Sequence, residues 1–220
     1  MRLFCVNPFF VAFFSQSNAL GHFLIQNAHA ALLTRPFSVS ADTSLRLWDT
    51  QTHAAVAVLT GHTSPITSVH FSPSSSLIAA ASSDACIRLW STSSGAPVVT
   101  LTTHTRAAIC SIAWSIDEAL VAAGACDGSV GVWESATGLQ LSSLQCPQTA
   151  PVAAITIAPA TDLIAVAVGP GPLSACAHVF ALASSSLLAS PALRGAVELL
   201  QWSADGQCLK DEQGDLWQKP

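Results

Sequence analysis

A cysteine set among small residues is the side chain of this sequence that most resembles a nucleophile. Residues 124–128 read Gly-Ala-Cys-Asp-Gly, a G-x-C-x-G pattern that imitates the nucleophile elbow of an α/β-hydrolase. That elbow needs a strand followed by a helix, whereas the next residues, SVGVWES, alternate like a further strand. A hydrolase using Cys126 is therefore the minor hypothesis. The pattern favours a buried hairpin position for this cysteine, which a thiol-reactive probe would leave unlabelled.

Metal and phosphate chemistry has less support. His104, Cys110 and Cys126 match no known ligand spacing, and the chain contains neither C-x-x-C nor H-E-x-x-H. The prolines of residues 169–172 remove the amides that a phosphate-binding loop supplies. Seven widely spaced cysteines are typical of reduced thiols in a cytosolic protein. We predict no catalytic residue, no cofactor and no metal ion, and hence a protein that is not an enzyme.

The composition excludes further classes of function. Half of the 220 residues are apolar and 10% are charged, which excludes a disordered, self-repelling chain and suggests about one to two domains. The formal net charge is −5 and no basic stripe is visible, so nucleic acid is not the expected partner.

The elements that position these side chains repeat along the chain. The segments LRLWDT, IRLWST, VGVWES, AHVFAL and GDLWQK recur at intervals of 42, 43, 47 and 37 residues. Their aromatic residues are Trp48, Trp90, Trp133, Phe180 and Trp217. An Asp stands six residues before Trp in three successive units, at Asp42, Asp84 and Asp127. A strand that ends in an aromatic residue and Ser also recurs, as VHFS, IAWS and LQWS.

Each unit alternates short apolar strands with turns. In the second unit the predicted strands are 66–71, 77–82, 86–90 and 97–101. Asp127-Gly128 predicts a tight hairpin in the third, because Gly tolerates positive φ. The pattern predicts an all-β chain without helices of note.

These repeats, with the Gly61-His62 opening and the strand-ending Trp, resemble WD40-repeat proteins from about residue 22 to residue 217. The resemblance implies a WD40 β-propeller with about five four-stranded antiparallel blades. The family most often closes with seven, so this propeller is expected to be incomplete or open, completed by a partner or a further chain segment.

The resemblance also implies a buried hydrogen-bonded tetrad of His, Ser or Thr, Asp and Trp in each blade. The second unit offers His62, Ser82, Asp84 and Trp90. The first offers Ser40, Asp42 and Trp48, and the third offers His104, Asp127 and Trp133, with Ala125 where the hydroxyl is expected. The fourth unit has Phe180 and no convincing His or Asp. Arg46 and Arg88, each two residues before Trp, are interpreted as blade-edge residues, with a phosphate- or carboxylate-reading pair as the alternative.

The function implied is a non-catalytic scaffold that binds proteins or peptides through propeller loops. A narrower resemblance, to echinoderm microtubule-associated-protein-like proteins, implies tubulin as an alternative partner. It is carried by the C-terminal residues Trp202, Ser203, Asp205, Gly214, Asp215 and Trp217.

The first residues form a separate apolar segment. Residues 1–20 have one Arg, an apolar run and small residues near Ala19, which is the outline of a secretory signal; an apolar strand or a ragged chain start are the alternatives. Twelve apolar residues are too few to span a bilayer, so no membrane partner is expected. We predict a repeat region over 21–217 and a cytoplasmic location, or secretion if residues 1–19 are a signal peptide.

Overall fold

The computed structural model describes most of the chain and shows antiparallel sheets throughout. The described residues are 3–7, 10–13, 23–27, 37–39, 43–49, 54–103, 105–159, 161–169, 176–191, 200–211 and 214–219. They form 21 strands in five sheets, each a meander of sequential strands. The all-β prediction is confirmed. No helix in these ranges is long and apolar enough to cross a membrane.

Sheet 1 contains six strands and includes the apolar N-terminal segment. Its strands, in sequence and in space, are β1 (Leu3–Asn7), β2 (Phe10–Phe13), β3 (Phe23–Asn27), β4 (Phe37–Val39), β5 (Leu45–Trp48) and β6 (Ala55–Leu59). The β1–β2 hairpin pairs with β3 and so extends the sheet at its edge. An apolar strand, one of the three sequence interpretations of this segment, is the conformation found there.

The next three sheets have four strands each. Sheet 2 consists of β7 (Ile66–Phe71), β8 (Leu77–Ser82), β9 (Cys86–Ser91) and β10 (Pro97–Thr102). Sheet 3 consists of β11 (Ile109–Trp114), β12 (Leu120–Ala125), β13 (Ser129–Glu134) and β14 (Gln140–Gln145). Sheet 4 consists of β15 (Val152–Ile157), β16 (Leu163–Val168), β17 (Cys176–Ala181) and β18 (Ser186–Ala189). All four strands predicted for the second unit begin at the predicted residues.

Sheet 5 is shorter than its neighbours. It has three strands, β19 (Gln201–Trp202), β20 (Cys208–Asp211) and β21 (Gly214–Gln218). The indole rings of Trp202 and Trp217 meet edge-on, with centroids 6.0 Å apart. The five predicted units thus correspond to five sheets, of which the three central ones have four strands.

The cores lie between sheets, and Trp90, Trp133 and Phe180 each face the sheet before their own. Trp90 of sheet 2 lies in a buried cluster with Leu45 and Leu47 of sheet 1. Trp133 lies in the cluster with Leu89 of sheet 2, and Phe180 of sheet 4 lies in the cluster with residues of sheet 3. The central strands are covered on both faces. Their sequences are therefore continuous apolar runs and do not alternate between apolar and polar residues. Each sheet therefore depends on its neighbours for burial.

Two kinds of tight turn repeat between the strands. The residue after the turn Asp has positive φ in three sheets: 69° at Thr43, 64° at Ala85 and 81° at Gly128. The hairpin predicted at Asp127-Gly128 is confirmed, with the Gly128 amide donating to the Ala125 carbonyl at 3.2 Å. Glycine adopts this conformation without steric cost, whereas in Thr43 and Ala85 the Cβ atom makes the left-handed conformation unfavourable.

The recurring aromatic-Ser dipeptide closes the first turn of a sheet. The hydroxyl oxygens of Ser72, Ser115 and Ser203 accept hydrogen bonds from backbone amides five residues later, at 3.2, 2.9 and 2.9 Å. In two of these turns an Asp, Asp117 or Asp205, accepts from the same serine hydroxyl and from a backbone amide. The sequence motif is therefore a turn motif.

Candidate functional site

A buried imidazole joins two loops at one end of sheet 2. His62 precedes β7 and is 6% exposed. Its Nδ1 lies 2.9 Å from Asp84 Oδ2, and its Nε2 lies 3.2 Å from the Ala80 carbonyl oxygen. Both partners are acceptors, so both hydrogen bonds are made together when both ring nitrogens carry protons. The ring thereby ties the β7 entry to strand β8 and to the turn that follows it.

The Asp84 carboxylate organises that turn. Its Oδ2 also accepts from the Thr63 amide at 2.9 Å, and its Oδ1 accepts from the Cys86 amide at 3.0 Å. Burial by itself raises the pKa of Asp84, but the hydrogen bonds from Thr63 and His62 outweigh it, and the pKa lies below its usual value. The anion is therefore the form that the folded chain stabilises.

The remaining two residues of the predicted set contact it differently. The centroids of the Trp90 and His62 rings are 5.8 Å apart in an edge-to-face arrangement. The Ser82 hydroxyl donates to the Ser64 carbonyl at 2.9 Å and accepts from the Asp84 amide at 3.1 Å. Ser82 is thus connected to the set through the turn backbone, and the imidazole Nε2 contacts the Ala80 carbonyl oxygen.

In the third unit, Asp127 belongs to a smaller polar cluster with Ser129 and Thr105. Asp127 Oδ1 accepts from the amide and the hydroxyl of Ser129, at 2.9 and 2.5 Å. The Thr105 and Ser129 hydroxyl oxygens are 3.2 Å apart. Burial raises the pKa of Asp127, but the hydrogen bonds, chiefly those from Ser129, bring it below its usual value. His104 lies outside the described residues.

Trp133 is buried over a glycine. Its side chain is 1% exposed, and a Cβ on Gly131 would stand 2.1 Å from the indole Cη2. A pocket of about 20 Å³ beside it is bordered by Ala123 and Ala125, among other described residues. That volume suits about one or two water molecules and is far below the size of a substrate pocket. It lies where the sequence has Ala125 instead of the expected hydroxyl.

The first unit is described only in part. Ser40 and Asp42 lie outside the described residues. Trp48 ends β5 and is half-buried. The Arg46 and Arg88 side chains are both half-buried on their strands, and Arg88 Nη1 donates to Thr100 Oγ1 at 3.1 Å. Arg88 lies on β9, which pairs with both β8 and β10, so its strand is interior to the sheet and the blade-edge interpretation stays a prediction.

The fourth unit contains a buried histidine that the sequence did not indicate. His178 on β17 is 3% exposed, and its Nδ1 lies 2.9 Å from the Ser190 hydroxyl. Burial lowers its pKa, which favours the neutral ring. Its position in the repeat could have indicated it, because His178 stands two residues before Phe180, where the first two units have arginine. The apolar runs around it gave no reason to expect a hydrogen-bonded partner.

The expectation that Cys126 is buried is wrong. It is an exposed free thiol at the β12–β13 hairpin, directly after β12. The residues that follow form strand β13 and not the helix that a nucleophile elbow requires. Within the described ranges, no three His, Cys, Asp or Glu side chains are grouped so as to hold a metal ion.

Four-stranded antiparallel meanders that stack side by side, with one apolar core per interface, define the blades of a β-propeller-type repeat protein. Comparison with family models gives the particular repeat. Residues 54–91 and 95–134 match the family described as WD domain, G-beta repeat, so these two segments are WD40 repeats. No curated protein matches the chain.

The matched segments are offset from the sheets by one strand. Residues 54–91 contain β6 to β9, and residues 95–134 contain β10 to β13. Each repeat therefore supplies the last strand of one sheet and the first three strands of the next sheet, so the chain links neighbouring sheets. The match does not reach the C-terminal residues that carried the microtubule-associated resemblance, and nothing in the comparisons supports that resemblance. Ser203 and Asp205 of that motif make the same turn as Ser115 and Asp117.

Proposed function

We propose that the protein is a non-catalytic scaffold that binds a peptide or an extended segment of another protein through the loops at one end of its blades. WD40 repeats of this kind are in general protein-interaction modules. The observation that carries the finer proposal is the His62–Asp84 pair, which fixes two loops against each other before any partner arrives. Loops held rigid in this way lose little conformational entropy on binding.

The proposed binding surface is the loop end, defined as residues 60–65, 83–85, 105–108, 126–128 and 146–151. These segments lie together because His62 contacts Asp84, and because a Cβ on Gly128 would stand 2.6 Å from the Gln148 carbonyl oxygen. The opposite end carries the other turns, joined by bonds such as that from Thr92 Oγ1 to the Ser75 carbonyl at 2.7 Å.

The exposed side chains of the loop end suit a polar peptide. Thr63, Thr105, Gln148 and Thr149 offer hydrogen-bonding groups, and Arg106 adds an exposed cation to a chain whose net charge is −5. Arginine is enriched among the residues that dominate binding energies. We therefore expect a ligand with at least one carboxylate near its centre.

The proposal is tested with a peptide library displayed on phage and selected on the immobilised full chain, followed by calorimetry with a synthetic copy of a selected peptide. Arg106→Ala at the loop end is expected to weaken binding by about tenfold or more. Asp162→Ala, an exposed charge at the opposite end, is the matched control and is expected to leave binding unchanged. Equal effects of the two variants, or none from Arg106→Ala, would contradict the proposal.

We also propose that further blades, from a partner chain or from another segment of the protein, complete the ring. The five described sheets are fewer than the seven blades with which the family most often closes. A native mass in solution above that of one chain supports this proposal. A monomer that unfolds in one cooperative transition contradicts it. The cytoplasmic location stays a prediction.

A further inference from the structure

Two cysteines meet where strand β11 enters sheet 3. Ile109 pairs with Ala125 and Ser111 pairs with Gly124, so Cys110 is an extra residue in a β-bulge. Cys126 follows β12 directly, and its amide donates to the Ala108 carbonyl at 2.9 Å. The two cysteines are therefore diagonal neighbours across the β11–β12 pair, separated by the single cross-strand step between Ile109 and Ala125.

Both cysteines contact the same backbone carbonyl and are at least partly exposed. Cys110 Sγ lies 3.8 Å from the Ala108 carbonyl oxygen, which is also the acceptor of the Cys126 amide. Cys126 is exposed and Cys110 is half-buried, and neither is in a disulfide. The other buried or half-buried thiols of the described residues lie on other strands or turns.

The corresponding positions of two neighbouring blades are occupied by pairs of small residues. The same bulge and the same amide-to-carbonyl bond bring Thr67 beside Ser83 in sheet 2, and Ala153 beside Gly169 in sheet 4. Among these three blades, sheet 3 alone has two thiols at the site. The Thr67 hydroxyl also donates to the Ile109 carbonyl at 2.5 Å, so the bulge next to Cys110 is anchored to the preceding blade.

We propose that Cys110 and Cys126 form a reversible dithiol–disulfide pair that is oxidised by a low-molecular-weight disulfide such as glutathione disulfide. The Cys126 thiolate attacks one sulfur of glutathione disulfide, which forms a mixed disulfide and releases one glutathione thiolate. Cys110 then loses its proton to solvent, and its sulfur attacks Cys126 Sγ and expels the second glutathione thiolate. The two thiolates take up two protons, so two protein thiols are oxidised and one glutathione disulfide is reduced to two glutathione molecules.

The surroundings set the order of these two attacks. Burial, together with the neighbouring Cys126 and Asp127, raises the pKa of the Cys110 thiol to about 11. An exposed Cys126 is therefore the first thiol to react, and Cys110 is the resolving thiol. The disulfide would join the bulge of β11 to the turn at the loop end, and thereby constrain the turn that contains Asp127.

The test treats the folded full chain with glutathione disulfide, blocks remaining thiols by alkylation, and digests with trypsin and a Glu-specific protease. Cleavage after Arg106, Glu118 and Glu134 places Cys110 and Cys126 in separate peptides, 107–118 and 119–134. The expected product is these two peptides joined, with the intact protein lighter by two hydrogen atoms. A lasting glutathione adduct on Cys126, or a link from Cys126 to another cysteine or another chain, would overturn the proposal.

Three variants and one condition make the result specific. Cys110→Ser is expected to stop at the Cys126–glutathione adduct, and Cys126→Ser is expected to leave Cys110 unmodified. Cys146→Ser, which removes a buried thiol of the same blade, is expected to behave as the unmodified chain does. Repeating the oxidation in urea gives the distribution of links in the unfolded chain. The same distribution under native conditions would contradict the pairing without reliance on any variant.

Discussion

His62 Nδ1 and Asp84 Oδ2 lie 2.9 Å apart although the residues are separated by 22 positions in the chain. The contact joins the loop before β7 to the turn after β8. Both residues belong to the same WD40 repeat, so the contact holds two loops of that repeat in a fixed arrangement. The carboxylate also accepts from two backbone amides, so removing it leaves the buried His62 ring and these two amides without that acceptor.

Replacing Asp84 by Ala is expected to lower the free energy of unfolding by about 1–3 kcal/mol, because the buried His62 ring loses its acceptor. His62→Ala is expected to have an effect of similar size. Ser83→Ala, an exposed neighbour in the same turn, is the control and should change stability little. Thermal and urea unfolding measure the difference. Unchanged midpoints for both His62 and Asp84 variants would show that the pair has no structural role.

The residue after the turn Asp provides a pair of predictions with opposite signs. Ala85→Gly is expected to stabilise the protein by about 1 kcal/mol, because it relieves a left-handed conformation at φ 64°. Gly128→Ala is expected to destabilise it, since φ is 81° and the added Cβ would stand 2.6 Å from a carbonyl oxygen. Urea midpoints of the two variants test this directly. A loss of stability in Ala85→Gly would contradict the strain argument.

Gly131 leaves the space that Trp133 occupies. Gly131→Ala places a methyl group 2.1 Å from the indole, so the ring must move out of the interface with sheet 2. We expect a loss of about 1–3 kcal/mol in unfolding free energy and a red shift of tryptophan emission. Ser143→Ala, at the cross-strand partner of Gly131, is the control. A variant with wild-type stability would mean that Trp133 lies elsewhere.

Acid is expected to destabilise the protein before its carboxylates titrate. Burial lowers the pKa of His70 from 6.5 to about 4, so the unfolded chain takes up a proton on this residue at a higher pH than the folded chain does. Stability is then full above pH 6.5 and falls as the pH decreases from 6.5 towards 4. His178, whose pKa is also lowered by burial, acts in the same direction.

The thermal midpoint measured across this pH range checks the prediction. His70→Gln is expected to flatten the profile between pH 6.5 and 4, because the titrating ring is removed. Asp84 contributes in a different window, since its lowered pKa gives stability that is lost only as the pH falls below the ordinary range of a carboxyl group. A profile that stays level until the carboxylates protonate would contradict the assignment to His70.

The sequence predicted the order of strands well because that order is encoded locally. The four strands of sheet 2 follow from alternating apolar runs between Ser, Pro and Gly turns, and the hairpin at Gly128 follows from the tolerance of glycine for positive φ. The recurring Trp marked equivalent positions, and Trp90 and Trp133 do face equivalent interfaces. These features depend on a few neighbouring residues, so a single chain is enough to reveal them.

Features that depend on distant partners were predicted less well. The partners of the Ser82 hydroxyl, the Ser64 carbonyl and the Asp84 amide, could not be read from the tetrad pattern, because both are backbone groups. His178 was missed because its bond to Ser190 has no sequence signature. Cys126 was predicted to be buried, but it is exposed, because a hairpin pattern predicts the turn and not the exposure of each side chain in it.

An experimental structure at side-chain resolution tests the central claim most directly, since that claim concerns where the repeated aromatic residues lie. We expect Trp90, Trp133 and Phe180 each on the third strand of a four-stranded sheet, with the ring against the preceding sheet. Helices at these positions, or three rings in dissimilar surroundings, would contradict the account.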